Sequence, residues 1–225
     1  MGPGLSVVCG ASGGLGLAVL DAMAALGDPV VAVASPRSAP EKLAALRPDS
    51  QWLRADLSDP EAVEALWRTL DGLGEVRRLV NVTGGFAGGK VVETSSRVVR
   101  EMLQVNLETA WWSSREAARR MTALGGGMIV NVGSAAGIEL RGGAAAYTVS
   151  KAALHALTAV LADELRSAGI GVNAVAPGTI DTPANRAWMS AADLAKAVAP
   201  ERVAEAIVGF CTPSRFVTGQ IVAVV

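Results

Sequence analysis

Short apolar runs alternate with helical stretches along the whole chain, and this alternation constrains the fold more than any other feature. Strand-like runs fall at Leu5–Cys9, Val30–Ala34, Gln51–Arg54, 78–82, 128–132, 171–175 and 220–225. Helical periodicity fills 14–26, 40–47, 60–70, 96–123, 147–168 and 200–211 between them. The runs are continuously apolar, so both faces of each strand need cover. That predicts an α/β fold with one doubly wound parallel sheet of about seven strands and helices on both faces. No repeat, low-complexity tract or linker divides the 225 residues, so one domain over 1–225 is expected. The segment 182–199 stands apart as a short helical insertion after a late strand. Ligands of an open α/β sheet bind beyond the carboxyl ends of the strands, which would make this insertion a lid.

Composition narrows the function classes. Hydrophobic residues make up 51% and charged residues 18%, which excludes a disordered chain. Mean hydropathy is +0.37. Gly, Ser or Thr nevertheless breaks every long uncharged stretch before the ~20 apolar residues a membrane span needs. Net charge is −1, which argues against nucleic acid or an anionic membrane as partner. Cys9 and Cys211 have no metal or redox spacing and are expected to be free thiols of a reducing compartment. The cysteine spacing gives no expectation of a metal site, and the first residues carry no basic leader region, so a cytoplasmic location is expected.

The first strand runs into Gly10-Ala11-Ser12-Gly13-Gly14-Leu15-Gly16 and then a helix. Glycines let backbone approach a pyrophosphate, and a helix N-terminus offers unpaired N–H groups and a positive dipole end. This placement predicts a dinucleotide phosphate loop, formed by Gly10, Ser12, Gly13, Gly14, Leu15 and Gly16. The end of the second strand discriminates between cofactors. An acid there accepts from the ribose of NAD, and a base pairs with the extra phosphate of NADP. Here the chain reads Ser35-Pro36-Arg37-Ser38 with no acid. Ser35 and Arg37 therefore favour NADP(H) over NAD(H).

Tyr147 is the only tyrosine, and Lys151 lies four residues on, on the same helix face. Ser134 precedes Tyr147 by thirteen residues, just past a strand. A phenol acting as general acid needs its pKa lowered from near ~10, which a nearby ammonium supplies. A hydroxyl beside a reacting carbonyl stabilises the negative charge that builds on oxygen.

Taken with Asp56-Leu57, Asn81-Val82-Thr83-Gly84, Asn106 and Pro177-Gly178-Thr179, these motifs run in the order of the short-chain dehydrogenase/reductase family, which the chain resembles over nearly its whole length. The resemblance implies a Rossmann-type fold and transfer of a hydride between a nicotinamide and a carbonyl or secondary alcohol. It implies Tyr147 as general acid/base and Ser134 as the group orienting the substrate oxygen. Lys151 would lower the Tyr147 pKa and hold the ribose, and Asn106 would keep a water linking Lys151 to solvent. On the cofactor side it implies Asp56 and Leu57 at the adenine, Asn81 stabilising the central strand and bordering the cofactor, and Gly84 beside it. Pro177, Gly178, Thr179, Ile180 and Thr182 would lie at the carboxamide. The stretches 84–89 and 180–186 are also similar to dihydropteridine reductases, so pterin reduction stays open beside general carbonyl reduction. A catalytically silent NADP(H)-binding regulator on the same fold is the other alternative.

For the substrate, Phe86 and Trp188 are expected to form an apolar slot, with Arg186 either gripping an anion or solvated. The family resemblance implies a homodimer or homotetramer through helices 106–123 and 147–168. The adjacent Trp111 and Trp112 cannot both face one core, which fits a partner subunit meeting one of them.

Overall fold

The computed structural model describes residues 4–48, 50–187, 189–212 and 217–225. Trp188, half of the expected aromatic slot, lies outside them. Seven strands form one sheet: β1 Leu5–Cys9, β2 Val30–Ala34, β3 Gln51–Arg54, β4 Val76–Asn81, β5 Gly127–Val132, β6 Ile170–Pro177 and β7 Ile221–Val224. Their order is β3-β2-β1-β4-β5-β6-β7, and every pairing is parallel. The order reverses between β1 and β4, which opens a crevice at the carboxyl edge.

The central strands are buried along their full length, as their unbroken apolar sequence demands. Successive residues then serve opposite faces. Val7, Leu79 and Ile129 join one core layer with Trp67 and Leu70 of α3 (Pro60–Asp71) and Met121 of α5 (Thr109–Ala123). Val8, Val80 and Val130 join the other with Val19 and Met23 of α1 (Gly14–Ala24) and Ile207 of α10 (Pro200–Cys211). The period-2 direction of strand side chains thus produces two cores from one set of strands.

The predicted helix 96–123 is interrupted. It runs as α4 (Ser96–Leu103), then one π-helical turn over Gln104–Glu108, then α5. Asn106 is buried at the centre of that turn. Such turns widen a helix by one residue and commonly mark functional sites. Two further helices flank the site: α6 (Ala135–Glu139), absent from the sequence reading, and α7 (Ala145–Glu164). A short helix, α2, spans Pro40–Leu46. By length and composition α7 is apolar enough to cross a membrane, the one such helix among the described residues, yet half of that stretch is buried within the fold.

The insertion at 182–199 carries α8 (Pro183–Arg186) and α9 (Ala191–Leu194). Its ends are tied together: Val198 donates to the Thr179 carbonyl at 2.8 Å and Asp181 donates back to Val198 at 2.9 Å. Arg186 pairs with Asp181 on the exposed outer side.

Candidate active site

One large cleft, ≈ 1490 Å³, opens along the carboxyl edge of the sheet. The glycine-rich loop after β1 floors one end. Gly10 has φ +83, and a Cβ there would come within 2.6 Å of the Thr83 backbone nitrogen. A Cβ on Gly16 would stand 2.3 Å from the Gly10 carbonyl oxygen, so the turn closes only with glycine. The α1 helix that follows starts at an N-cap, Gly13, with no side-chain cap and no acid in its first turn. Its leading N–H groups and positive dipole end therefore remain available to an anion. Loop shape and donor chemistry together fit a dinucleotide pyrophosphate.

Ser12, Gly13, Gly14 and Leu15 line this end of the cleft with Gly10 and Gly16. Ser35, Arg37, Asp56 and Leu57 line the region beyond β2 and β3. The Ser35 hydroxyl accepts from the Arg37 backbone N–H at 3.3 Å. Arg54, which the sequence reading passed over, donates to the Pro36 and Ser38 carbonyls at 3.4 and 3.3 Å and braces that turn. Asp56 Oδ1 accepts from the Ser58 hydroxyl at 2.6 Å and its N–H at 3.0 Å. Those bonds, and then the Arg37 charge, hold its carboxyl below the usual range.

Asn81 and Thr182 are both held by hydrogen bonds within the scaffold of the cleft. Asn81 is buried at the end of β4 and donates to Asn131 Oδ1 at 2.9 Å and to Ser114 at 3.1 Å. Asn131 in turn donates to Thr158 at 3.0 Å. This polar chain ties β4, β5 and α7 beneath the cleft, and Asn81 is not among the residues lining it. Thr182 caps α8 by accepting from the Asn185 N–H at 3.3 Å. Its Cβ lies 2.9 Å from where a Gly14 Cβ would stand, so it packs on the glycine loop from above. Pro177, Gly178, Thr179 and Ile180 line the cleft directly.

At the other end stand Ser134, Tyr147 and Lys151. Ser134 is the N-cap of α6, its hydroxyl accepting from the Ala136 N–H at 3.2 Å. The same hydroxyl hydrogen-bonds Tyr147. The Tyr147 and Phe86 rings meet edge to face at 5.0 Å, and Phe86 is 59% exposed at the mouth. Gly84, Glu101, Gln104, Glu139 and Arg141 complete that mouth.

The electrostatics depart from the expectation that Lys151 depresses the Tyr147 pKa. Burial pushes the phenol above its ordinary value, and the Ser134 hydrogen bond draws it partly back. Lys151 is itself buried, donates to the Val132 carbonyl at 2.9 Å, and is held down to about 8 by desolvation.

Asn106 also does more than the resemblance implied. Its amide donates to the Gly85 carbonyl at 3.0 Å and to Ser150 at 3.0 Å, while its Oδ1 accepts from the Gly85 N–H at 2.9 Å. It thereby pins the 84–85 turn against Lys151. A Cβ on Gly84 would lie 2.9 Å from Asn106 Oδ1 and 3.2 Å from Lys151 Nζ. The π-turn that aims Asn106 inward has no simple signature in residue type.

Known proteins place the chain. The short chain dehydrogenase family profile matches residues 5–193. Galactitol 2-dehydrogenase (L-tagatose-forming) of Cereibacter sphaeroides is 32% identical, over 97% of this chain and 92% of its own. Carbonyl reductase family member 4 of Danio rerio is 33% identical, over 98% and 95%. The solved structure of a short-chain dehydrogenase/reductase from Serratia marcescens superposes with a TM-score of 0.87 at 29% identity, covering 98% of this chain and 95% of that one. With the Rossmann-type order of its strands and the glycine loop at the switch point, this chain belongs to the short-chain dehydrogenase/reductase family of oxidoreductases.

Proposed function

We propose that the protein is an NADP(H)-dependent oxidoreductase that interconverts a ketone or aldehyde with the corresponding alcohol, working through Tyr147. One observation carries the reading: Ser134, Tyr147 and Lys151 share a single cleft with the glycine loop and the Ser35–Arg37 turn. When bound, the nicotinamide supplies the hydride, and the chain supplies position and charge.

Tyr147 passes a proton to the substrate oxygen, or takes one from it. Ser134 donates to the same oxygen as negative charge grows there. Lys151 holds the nicotinamide ribose, and Asn106 fixes the turn beside it. Arg37 and Ser35 offer donors to the phosphate that distinguishes NADP from NAD. Gly84, Pro177, Gly178, Thr179 and Ile180 shape the nicotinamide end.

The galactitol dehydrogenase and carbonyl reductase relatives bring polyols, ketoses and simple carbonyls to mind as substrates. The charged side chains at the mouth, Glu101, Glu139 and Arg141, favour a polar substrate. The enzyme is read as a single cytoplasmic domain that assembles into a homodimer or homotetramer. Buried free thiols at Cys9 and Cys211 and exposed apolar side chains on α5 and α7 support this.

Cofactor oxidation tests the reading. Purified protein is given NADPH or NADH with ketoses, ketones and aldehydes, and polyols with the oxidised cofactors, alongside Tyr147→Phe. Turnover with NADPH that falls at least ~10²-fold in the variant is the expected result, the size of a lost general acid. A variant that keeps its rate overturns the assignment of Tyr147. Tight NADPH binding with no turnover on any substrate points to a silent regulator instead.

A further inference from the structure

His155 is the only histidine of the chain, and it lies buried on α7 one turn beyond Lys151. Sequence spacing alone directs it to the core or to an interface. The structure places its ring directly behind Ser134. Nε2 accepts the backbone N–H of Ser134 at 3.4 Å. A ring nitrogen that accepts carries no proton, so the proton of the neutral ring sits on Nδ1. The other hydrogen bond of the ring is to the Gly137 backbone, whose acceptor is the carbonyl. The helix α6 ends at Glu139, too soon for a following turn to satisfy that carbonyl. The imidazole therefore lies along the first turn of α6, held to it at Ser134.

The space for the ring is made by two glycines. A Cβ on Gly133 would stand 2.1 Å from His155 Nε2, and one on Gly137 would stand 2.9 Å from Cε1. The segment Gly133-Ser134-Ala135-Ala136-Gly137 thus brackets the serine with the two residues that admit the histidine.

We propose that His155 is a positioning residue for Ser134: its neutral imidazole holds the serine backbone and so aims the hydroxyl at Tyr147 and the substrate oxygen. The proposal rests on the catalytic reading above. Burial, and then the charge of Lys151, hold His155 below its ordinary value, and this favours the neutral ring that can accept. The histidine does not line the cleft, so it acts only through the serine.

Two measurements test it. Long-range ¹H–¹⁵N correlation of the wild-type imidazole is unambiguous, because one histidine gives one set of signals. The expected spectrum shows a protonated Nδ1 and an unprotonated Nε2 at pH 7. A protonated Nε2 overturns the proposal. The second measurement is a kinetic cycle with His155→Leu, His155→Gln, Ser134→Ala and the double variant Ser134→Ala/His155→Leu. Leucine keeps volume without an acceptor, and glutamine can offer an oxygen to the Ser134 N–H. His155→Leu is expected to lower kcat ~10–100-fold with KM for NADPH within twofold, the scale of a misplaced reacting group. His155→Gln is expected to recover most of that loss. In the Ser134→Ala background His155→Leu should cost nothing further. Equal losses in the Leu and Gln variants, or additive losses with Ser134→Ala, overturn the proposal. If His155→Leu does not fold, the shorter His155→Asn replaces it in the cycle. The two readings fail separately. Activity that survives Tyr147→Phe sinks the catalytic assignment. Activity lost in Tyr147→Phe but kept in His155→Leu sinks only the role of His155.

Discussion

The Lys151 ammonium donates to the Val132 carbonyl at 2.9 Å, at the end of β5 and two residues before Ser134. A buried cation thus joins the strand that leads into the serine to the helix that carries the tyrosine. Burial on this scale has a measurable consequence for stability.

Desolvation holds Lys151 at about 8, against 10.5 in water. Below pH 8 both folded and unfolded chains carry the charge, and the folded chain bears the cost of burying it. Between pH 8 and 10.5 the folded chain releases its proton while the unfolded chain keeps it, so stability rises with pH. The gap corresponds to ~3 kcal/mol. Lys151→Met removes this titration along with activity. Urea unfolding without cofactor should show the stability of the variant relative to wild type greatest below pH 8 and shrinking towards pH 10.5. Parallel curves for the two proteins would contradict this.

Cofactor preference should follow Arg37. A charge-assisted hydrogen bond contributes roughly 1.5–3 kcal/mol, or about 10–100-fold. Arg37→Ala is expected to lower kcat/KM for NADPH by that factor and to leave the NADH value within about twofold. Steady-state kinetics with both cofactors decide it, and equal losses would remove Arg37 from the phosphate.

Gly84 stands where a methyl group would press on Asn106 and Lys151 together. Gly84→Ala should lose ~1–3 kcal/mol of stability, typical of overpacking, and most of its turnover. Gly88→Ala is the control for stability, since its nearest neighbour would be the Gly143 carbonyl oxygen at 3.8 Å. Thermal melting that moves equally in both variants would refute the contact.

Assembly should depend on Trp111 and Val160, which are 47% and 53% exposed on α5 and α7. Trp112 instead packs against the core, and Leu157 is 6% exposed between α5 and α7. Charges at Trp112 or Leu157 would therefore unfold the protomer rather than part subunits. Trp111→Glu and Val160→Glu are expected to reduce the mass seen by light scattering to that of one chain or one pair. Unchanged mass in both would place the interface elsewhere.

Much of this was legible in the residues. Apolar runs announced the strands because a parallel sheet buries both faces of each. The glycine loop, Ser134 and the Tyr147–Lys151 pair were visible because local backbone geometry and helical spacing suffice to place them. Long-range contacts carried everything else. Spacing put His155 one turn past Lys151, but only the packing of α7 on α6 set it behind Ser134. Asn81 was expected to stabilise the central strand, and the register with Asn131 supplied its partner. The Tyr147 and Lys151 pKa values follow burial, which depends on residues far away in the chain. Periodicity and turn chemistry are properties of neighbouring residues, so the sequence alone determined the architecture and the chemical groups at the cleft. Desolvation and hydrogen-bond partnership arise where distant segments meet, so the tertiary structure decided how those groups are aimed and charged.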